Sequence, residues 1–413
     1  MSLVVPFQAL RPDRALVDRV AAPPYDVLNV AEAREFVRDN PLSFLHVEKS
    51  EIDISDATGA GDLRIYSRAK DNLDRLIRKK VLFREEGRAF YLYRQRMGEH
   101  VQTGIVAGVS IAEYEAGRIK RHELTRADKE RERTCHIDTV GAQTGPVFLA
   151  YRADEAIDRL IARIAEGAPE YDFTAADGVV HTVWVVRDPG AIREIAEGFA
   201  GVDALYIADG HHRAAAAANV ARLRKGRNPG DGEDAPYQFM LGVLFSHNQL
   251  KIMDYNRAVR DLNGLTGELF LKRVEEKFIV SRSFAGKSPR EPHTVGMYLG
   301  GAWYLLKARE GILRDDNPIA GLDVSLLQEH LLGPILGIGD PRTDPRIEFI
   351  GGVRGMPELE RLVEREGFAV AFSLYPPTLR QMMAVADAGE VMPPKSTWFE
   401  PKLLSGLFVH LLE

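Results

Sequence analysis

The stretch Ala204–Ala218 constrains the fold of this chain more than any other part of the sequence. Leu205–Ile207 is a short, apolar and partly aromatic run, which is typical of a buried β-strand. Asp209 and Gly210 form a turn pair, because glycine adopts backbone conformations that are closed to other residues. The alanine-rich run that follows favours a helix. A strand, a tight turn and a helix in this order are typical of an α/β protein.

The start of this helix carries groups that suit an anion. The first backbone N–H groups of a helix have no partner within it and lie at the positive end of its dipole. His211 and His212 can donate hydrogen bonds or transfer protons, and Arg213 can bind a phosphate or carboxylate through two parallel hydrogen bonds. We therefore predict an anion site at Gly210–Arg213. The alternative is a helix that merely begins with polar residues.

Strands and helices alternate around this stretch. Apolar runs at 145–151 and 181–186 predict strands, and patterns at 154–166 and 190–199 predict the helices that follow them. We therefore expect a mixed α/β fold. The C-terminal half is predicted to contain helices at 266–277, 324–332, 357–366 and 378–388 and strands at 294–299, 302–308, 347–350 and 369–374.

The length of 413 residues is enough for two domains. We predict an N-terminal α/β lobe at 1–253 that carries the anion site. A C-terminal α/β lobe is predicted at 254–413, with its end closing over that site. The single cysteine, Cys135, excludes an internal disulfide framework and a zinc site built from several cysteines.

Charge and hydropathy limit the classes of partner. The net charge of −6 argues against nucleic acid as a partner bound mainly through charge. No apolar run has membrane-spanning length and the N terminus lacks a signal-peptide pattern. We therefore expect a cytoplasmic protein without a membrane partner. The sequence leaves the oligomeric state open.

The segment Pro23–Asp26 begins with two prolines, which stiffen the chain ahead of Tyr25 and Asp26. A rigid approach of this kind can hold both side chains in a ligand cleft. It can equally be a stiff connection, and the sequence favours neither interpretation. Asn29 with Glu32 three residues later predicts a capping box at the start of a helix.

The segment Lys120–His136 is rich in charge. Thr125 and Asp128 resemble the capping box of a helix that is polar on all faces. Such a helix is either exposed to solvent or borders a charged ligand, and both interpretations stay open. The loop ahead of it then holds three chemically active side chains, Arg121, His122 and Glu123.

The C-terminal stretch Met392–Gly406 contains three prolines and two aromatic residues and should be rigid. Its Lys395 can contact a phosphate or a carboxylate. The alternative is a segment packed over the core with this lysine in water.

Four motifs, spread in order over almost the whole chain, resemble the prokaryotic family known as domain of unknown function 1015. They are Ala22–Val27, Lys120–Thr125, Ile207–Arg213 and Met392–Thr397. This resemblance identifies relatives of the chain and implies no particular activity.

The motif Asp209–Arg213 is also similar to the phosphate-binding motif of the ParB/sulfiredoxin-like superfamily, which includes free-serine kinases. In that superfamily a glycine-containing turn and a basic helix start hold nucleotide phosphates. The similarity implies a ParB/sulfiredoxin-like nucleotide-binding core and a phosphotransferase or phosphohydrolase. ATP or ADP would be the cofactor, and a small hydroxylated metabolite such as free serine would be the substrate. The chain differs from ParB proteins because it lacks an evident helix-turn-helix domain for DNA.

In such an enzyme we expect specific side chains to bind phosphate, to transfer protons and to neutralise charge. The groups expected to hold phosphate are Gly210, His211, His212 and Arg213. Glu123 or Asp209 would act as the general base, and His212 is the third candidate catalytic residue. Arg121 and Lys395 would neutralise the charge that develops during transfer. Mg²⁺ would be held mainly by phosphate oxygens and one carboxylate.

Two other functions stay open. A nucleotide-binding switch of the ParB type would bind nucleotide with little turnover. A metal-dependent hydrolase would use His122, His136, His211 and His212, although these histidines lack the close spacing of a metal-binding motif.

Overall fold

The computed structural model describes residues 2–57, 61–314 and 317–413. The chain divides into two compact units. The first unit comprises Met1–Leu250 and Pro401–Glu413, and the second comprises Lys251–Glu400. The predicted lobes, 1–253 and 254–413, differ from these units mainly at the C terminus. The last strand of the chain, Val409–Leu411, belongs to the first unit because it pairs with two strands there.

The first unit contains two sheets. Its strands are β1 (Val4–Val5), β2 (Ala9–Pro12), β3 (Leu82–Arg84), β4 (Phe90–Met97), β5 (His100–Ser110), β6 (Ile119–Lys120), β7 (Ala142–Gln143), β8 (Val147–Tyr151), β9 (Tyr171–Thr174), β10 (Val180–Val186), β11 (Leu205–Asp209), β12 (Phe239–Ser246) and, from the C terminus, β21 (Val409–Leu411). The nine-stranded sheet has the order β6-β11-β8-β12-β5-β4-β10-β9, with β1 paired to β5. The four-stranded sheet has the order β3-β2-β21-β7. The nine-stranded sheet is mixed, because β11 is parallel to β6 and antiparallel to β8.

Helices of the first unit connect these strands. They are α1 (Val17–Val20), α2 (Val30–Val37), α3 (Leu45–Glu48), α4 (Leu63–Arg78), α5 (Ile111–Glu115), α6 (Ala127–Val140), α7 (Glu155–Ile164), α8 (Pro189–Ala200) and α9 (His211–Arg227). The predicted capping box is confirmed at the start of α2, where the Asn29 side chain accepts from the Glu32 N–H and the Glu32 side chain accepts from the Asn29 N–H. None of the helices among the described residues is long and apolar enough to cross a membrane.

The second unit is built on a six-stranded sheet. Its strands and helices are β13 (Ile252–Met253), β14 (Tyr255–Val259), α10 (Gly267–Glu275), β15 (Phe278–Arg282), β16 (Thr294–Leu299), β17 (Ala302–Ala308), α11 (Asp323–Leu327), β18 (Ile347–Gly351), α12 (Gly355–Arg365), β19 (Val370–Leu374), α13 (Leu379–Asp387) and β20 (Trp398–Phe399). The sheet order is β15-β17-β16-β19-β14-β18, and β13 pairs separately with β20. The predicted mixed α/β class is therefore confirmed in both units. The helix predicted at 324–332 differs in form, because α11 continues as a π-helix over Gln328–Leu332.

Alanine decides how α9 packs. Ala214, Ala216 and Ala218 are fully buried, and α9 lies against α6 and β12. Small side chains allow the close approach of a helix to its neighbours without a loss of helix propensity. The predicted strand, turn and helix are confirmed as β11, Gly210 and α9.

At Gly406 the backbone of the C-terminal segment passes close to the Phe44 side chain. The φ of Gly406 is +86°, and a Cβ added there would lie 2.6 Å from Cγ of Phe44. We expect Gly406→Ala to lower the free energy of unfolding of the first unit by about 2–4 kcal/mol, because it adds backbone strain and a core clash. Urea unfolding followed by the fluorescence of Trp184 measures this loss. Gly178→Ala is the control, since its φ is +82° with open space around the added Cβ. An equal loss in both variants would show that Phe44 plays no part.

Candidate functional site

The turn between β11 and α9 has the geometry that the sequence predicts. Gly210 has φ 91° and ψ 30°, in the left-handed region that glycine favours. The Gly210 N–H donates to Oδ1 of Asp209 at 2.7 Å. No side chain caps the start of α9. The first N–H groups of this helix therefore remain oriented for an acceptor that is not a capping side chain.

Asp209 is held by a lysine that sequence reasoning missed. Nζ of Lys402 donates to Oδ2 of Asp209 at 2.8 Å. Burial opposes the charged form of Asp209, but the Lys402 ammonium and the Gly210 N–H outweigh it and lower the pKa of this carboxyl to about 2. Asp209 is consequently ionised at neutral pH and is a weak proton acceptor.

Lys402 lies in the stretch Met392–Gly406 but outside the family motif Met392–Thr397. Lys402 lies in the segment Pro401–Glu413 of the first unit, whereas Lys395 belongs to the second unit. There the Lys395 ammonium lies 5.8 Å from the centre of the Tyr255 ring. The role of Lys395 in phosphate binding stays a prediction. Lys402 directly follows Pro401, the third proline of this stretch. Its closeness in sequence to the family motif is the signal that could have identified it.

Two buried imidazoles meet beside this turn. The rings of His122 and His211 pack edge to face with centroids 4.6 Å apart. Nε2 of His211 accepts the His122 N–H at 3.5 Å, and Nδ1 of His211 lies 3.9 Å from Oε2 of Glu123. Burial lowers the pKa of His122 to about 4 and holds the pKa of His211 well below its usual range. Both rings are therefore neutral at pH 7.

These contacts form a group of donor atoms that the sequence alone did not indicate. His122, Glu123 and His211 each offer one ligand atom, and the three atoms lie within 4.8 Å of one another. The four histidines of the predicted hydrolase site do not form one such group. His136 instead hydrogen-bonds the carbonyl of Val47 at 2.9 Å through Nε2.

His212 joins α9 to the start of α6. Its Nε2 accepts the N–H of Arg126 at 3.0 Å, so the proton of the neutral ring is assigned to Nδ1. The predicted capping box at Thr125 and Asp128 is wrong: the N-cap of α6 is Arg126, without a side-chain cap. Thr125 donates to Oε2 of Glu130 at 2.9 Å instead. This bond leaves the Thr125 hydroxyl oriented toward the side chain of Glu130 and away from the α6 backbone.

Arg213 is engaged by a buried carboxylate. Nη1 and Nη2 of Arg213 donate to Oε1 and Oε2 of Glu48 at 3.3 and 3.2 Å. The Glu48 side chain, at the end of α3, is fully buried. Nη1 of Arg213 also donates to the carbonyl of Gly145 at 3.4 Å. The paired donors that the sequence assigned to a phosphate are thus shared with a carboxylate of the chain itself.

A second guanidinium approaches the same carboxylate. Nη1 of Arg133, on α6, lies 3.6 Å from Oε2 of Glu48, and the Arg133 side chain is 6% exposed. Among the described residues, Nε and Nη1 of Arg133 have no hydrogen-bond partner. The guanidinium carbons of Arg133 and Arg213 lie 4.0 and 5.0 Å from the centre of the Tyr25 ring. Tyr25 therefore stacks on two cations, and a place for its motif in a ligand cleft stays a prediction.

Both guanidiniums line one pocket. Its cavity volume is about 10 Å³, close to the space of a single water molecule, and it is bordered by Arg133, His136, Ile137, Gln143, Thr144, Gly145, Val147 and Arg213. Glu48 pairs with both guanidiniums, and Nη2 of Arg133 also donates to Oε1 of Glu132 at 3.1 Å. Arg121 does not line it; its guanidinium carbon lies 5.7 Å from the centre of the Tyr114 ring.

Glu48 makes the stability of this cluster depend on pH. Burial opposes ionisation of Glu48, but Arg213, His136 and Arg133 outweigh it and lower its pKa from 4.5 to about 2. A carboxyl whose pKa is lower in the folded state stabilises the protein above pH 4.5, and this contribution is lost as the pH falls toward 2. We expect Glu48→Gln to cost about 3–5 kcal/mol at pH 7, because it leaves the buried Arg213 guanidinium without its counter-charge. The difference from the unchanged protein should shrink below pH 4.5.

Urea unfolding at pH 7, 5 and 3.5 measures this dependence. Glu86→Gln is the control, because Glu86 is exposed. A Glu48→Gln penalty that is the same at every pH would contradict the assignment of an ionised Glu48.

Comparisons with known proteins place the chain in a family. Residues 4–325 match the family described as protein of unknown function (DUF1015). The search of curated proteins gave no match. A solved structure of a free serine kinase in complex with AMP has 14% identity, covers 72% of this chain and 86% of its own, and gives a TM-score of 0.34.

Two further solved structures have similar scores. SbnI with a C-terminal truncation from Staphylococcus aureus has 12% identity, coverage of 74% and 87%, and a TM-score of 0.38. A conserved hypothetical protein from Pyrococcus furiosus has 12% identity, coverage of 73% and 94%, and a TM-score of 0.34. These TM-scores are too low to transfer a fold or an activity. The family match spans most of the chain, and the protein belongs to the DUF1015 family.

Proposed function

We propose that the first unit binds the phosphates of a nucleotide, ATP or ADP, and transfers or hydrolyses a phosphoryl group. The observation that carries this proposal is the pocket lined by Arg133 and Arg213, in which Nε and Nη1 of Arg133 are buried without a hydrogen-bond partner among the described residues. The acceptor would be a small hydroxylated metabolite, and free serine is the first candidate because of the Asp209–Arg213 motif.

The unsatisfied donors of the pocket favour an anionic ligand. A buried N–H group is costly unless it has an acceptor. Glu48 pairs with both guanidiniums and Glu132 with Arg133, yet the Nε and Nη1 atoms of Arg133 are buried without a hydrogen-bond partner among the described residues. A phosphate group supplies negative charge and several acceptor oxygens for such donors. The uncapped start of α9 adds backbone donors and a positive dipole end.

The carboxylates near the turn differ in what they can do. Asp209 is ionised and bonded to Lys402, so it is better suited to hold Lys402 in place than to accept a proton. Lys402 can then neutralise charge on a phosphate. The Glu123 side chain is 39% exposed and reaches solvent. Glu123 is therefore the preferred candidate for the general base or for a metal ligand, and His212 stays a candidate catalytic residue. Mg²⁺ would arrive with the nucleotide, bound mainly by phosphate oxygens.

Arg133 provides the sharpest test of phosphate binding. Arg133→Gln should weaken nucleotide affinity about 10- to 100-fold, because it removes charge-assisted hydrogen bonds worth about 1.5–3 kcal/mol. Arg213→Ala is less informative, since it would also leave Glu48 buried without its main partner. Calorimetric titration with ADP and ATP, with and without Mg²⁺, measures the effect. Arg222→Gln is the control, because Arg222 is an exposed residue of α9 paired with Glu115. Unchanged affinity in Arg133→Gln would refute the pocket as the phosphate site.

Glu123 separates binding from chemistry. Glu123→Gln keeps the shape of the side chain and removes its charge. We expect nucleotide affinity to stay within a few-fold and turnover to fall by roughly 10²–10⁴, the usual share of a general base. Calorimetry beside steady-state release of product, with serine and other small alcohols as acceptors, measures both quantities. Glu115→Gln, at an exposed position, is the control. Normal turnover in Glu123→Gln would assign Glu123 a structural role.

One observation also favours a nucleotide-binding switch with little turnover. A phosphate that recruits Arg213 must compete with Glu48 for the same two donor groups. Such competition would exchange one arrangement of α3 and α9 for another. A switch would bind nucleotide without sustained product release whatever acceptor is added, whereas a kinase would consume nucleotide only with its acceptor.

A further inference from the structure

We infer that His122, Glu123 and His211 bind a divalent first-row transition-metal ion, with Zn²⁺ as the best-suited example. His122 and Glu123 lie in the loop before α6, and His211 is the first residue of α9. One ligand atom from each lies within 4.8 Å of the other two. The fold therefore brings a nitrogen, nitrogen and oxygen donor set together from two segments that are 89 residues apart.

The donor set selects the class of metal. Two imidazoles and one carboxylate suit Zn²⁺ and neighbouring divalent transition metals, whereas Mg²⁺ prefers oxygen ligands. Three protein ligands leave a coordination position for water or for an oxygen of a ligand. This ion would be distinct from the Mg²⁺ that accompanies a nucleotide, and its binding does not depend on the function proposed above.

Metal binding requires the donor atoms, which lie within 4.8 Å of one another, to move closer together. Ligand atoms of a tetrahedral zinc ion lie about 3.4 Å apart for metal–ligand distances near 2.1 Å. Nδ1 of His211 and Oε2 of Glu123 are 3.9 Å apart. Glu123 can move because its side chain is partly exposed, while both imidazoles are buried and held by their surroundings.

Contacts around the imidazoles both assist and oppose binding. The His122 ring hydrogen-bonds the backbone of Ile207, which is the kind of contact that orients a metal-bound histidine. Binding through Nδ1 of His211 would place a proton on its Nε2 and end the long 3.5 Å contact with the His122 N–H. Asp209 favours positive charge at His211 and Arg121 disfavours it. Among these contacts, the hydrogen bond between the His122 N–H and His211 would be lost, and two metal–nitrogen bonds and one metal–oxygen bond would be gained.

Metal binding can be measured directly on the full chain without nucleotide. The purified protein is stripped with a chelator and titrated with Zn²⁺ against a chromophoric competitor, and with Mg²⁺ as a separate probe. We expect one Zn²⁺ per chain and no displacement by millimolar Mg²⁺. Glu123→Gln and His211→Asn should each weaken Zn²⁺ affinity at least 10-fold. His410→Gln is the matched control, because His410 is buried elsewhere and hydrogen-bonds the Pro236 carbonyl; it should leave the affinity unchanged.

Glu123→Gln keeps the test independent of misfolding, since this position is partly exposed and its thermal unfolding without metal should match the unchanged protein. Zn²⁺ should raise the Tm of the unchanged protein but not that of this variant. Substoichiometric Zn²⁺, or equal affinity in all variants, would overturn the inference. If Glu123→Gln retains Zn²⁺ but loses turnover, the metal site is wrong and the proposed function stands. If Zn²⁺ binds as expected and no nucleotide is bound, the proposed function fails and the metal site stands.

Discussion

The buried ion pair between Glu48 and Arg213 is the interaction on which the candidate site depends. It joins the end of α3 to the first turn of α9 across 165 residues of sequence. The Glu48 side chain is fully buried and the Arg213 side chain is 12% exposed. A carboxylate in such surroundings is tolerated only with its partners in place. The pair therefore fixes the position of the first turn of α9, which carries every backbone donor proposed to meet a phosphate.

Around this pair the first unit places a second guanidinium, Arg133, which contacts both Glu48 and Glu132. Arg133 lies on α6, and the face of Tyr25 lies against both guanidiniums. Buried cations are costly unless carboxylates balance them, and Glu48 and Glu132 do so here. Arg213 and Arg133 lower the pKa of Glu48, and both are proposed to bind a phosphate. Lys402 adds a further cation at the β11–α9 turn, where it connects Asp209 to the C-terminal segment of the first unit.

The sequence by itself determined the local features. Apolar runs, the Asp209-Gly210 turn and the alanine-rich segment predicted β11 and α9, because strand periodicity, left-handed glycine and helix propensity act over a few neighbouring residues. The family motifs identified the same stretch and the loop of His122 and Glu123. The capping box at Thr125 failed because the Thr125 hydroxyl found a partner outside the helix backbone, in the side chain of Glu130.

Only the tertiary structure determines which charged side chains come into contact. No feature of the sequence around Glu48 indicates that this residue will be buried against Arg213. Arg133 belongs to a helix whose sequence is polar on every face, so the pattern does not distinguish it from its neighbours. Lys402 reaches Asp209 within the first unit, whereas Lys395, seven residues earlier, belongs to the second unit. Such pairings follow from chain topology. Coulomb attraction and desolvation depend on distance in space and on burial, and the local sequence specifies neither of these quantities.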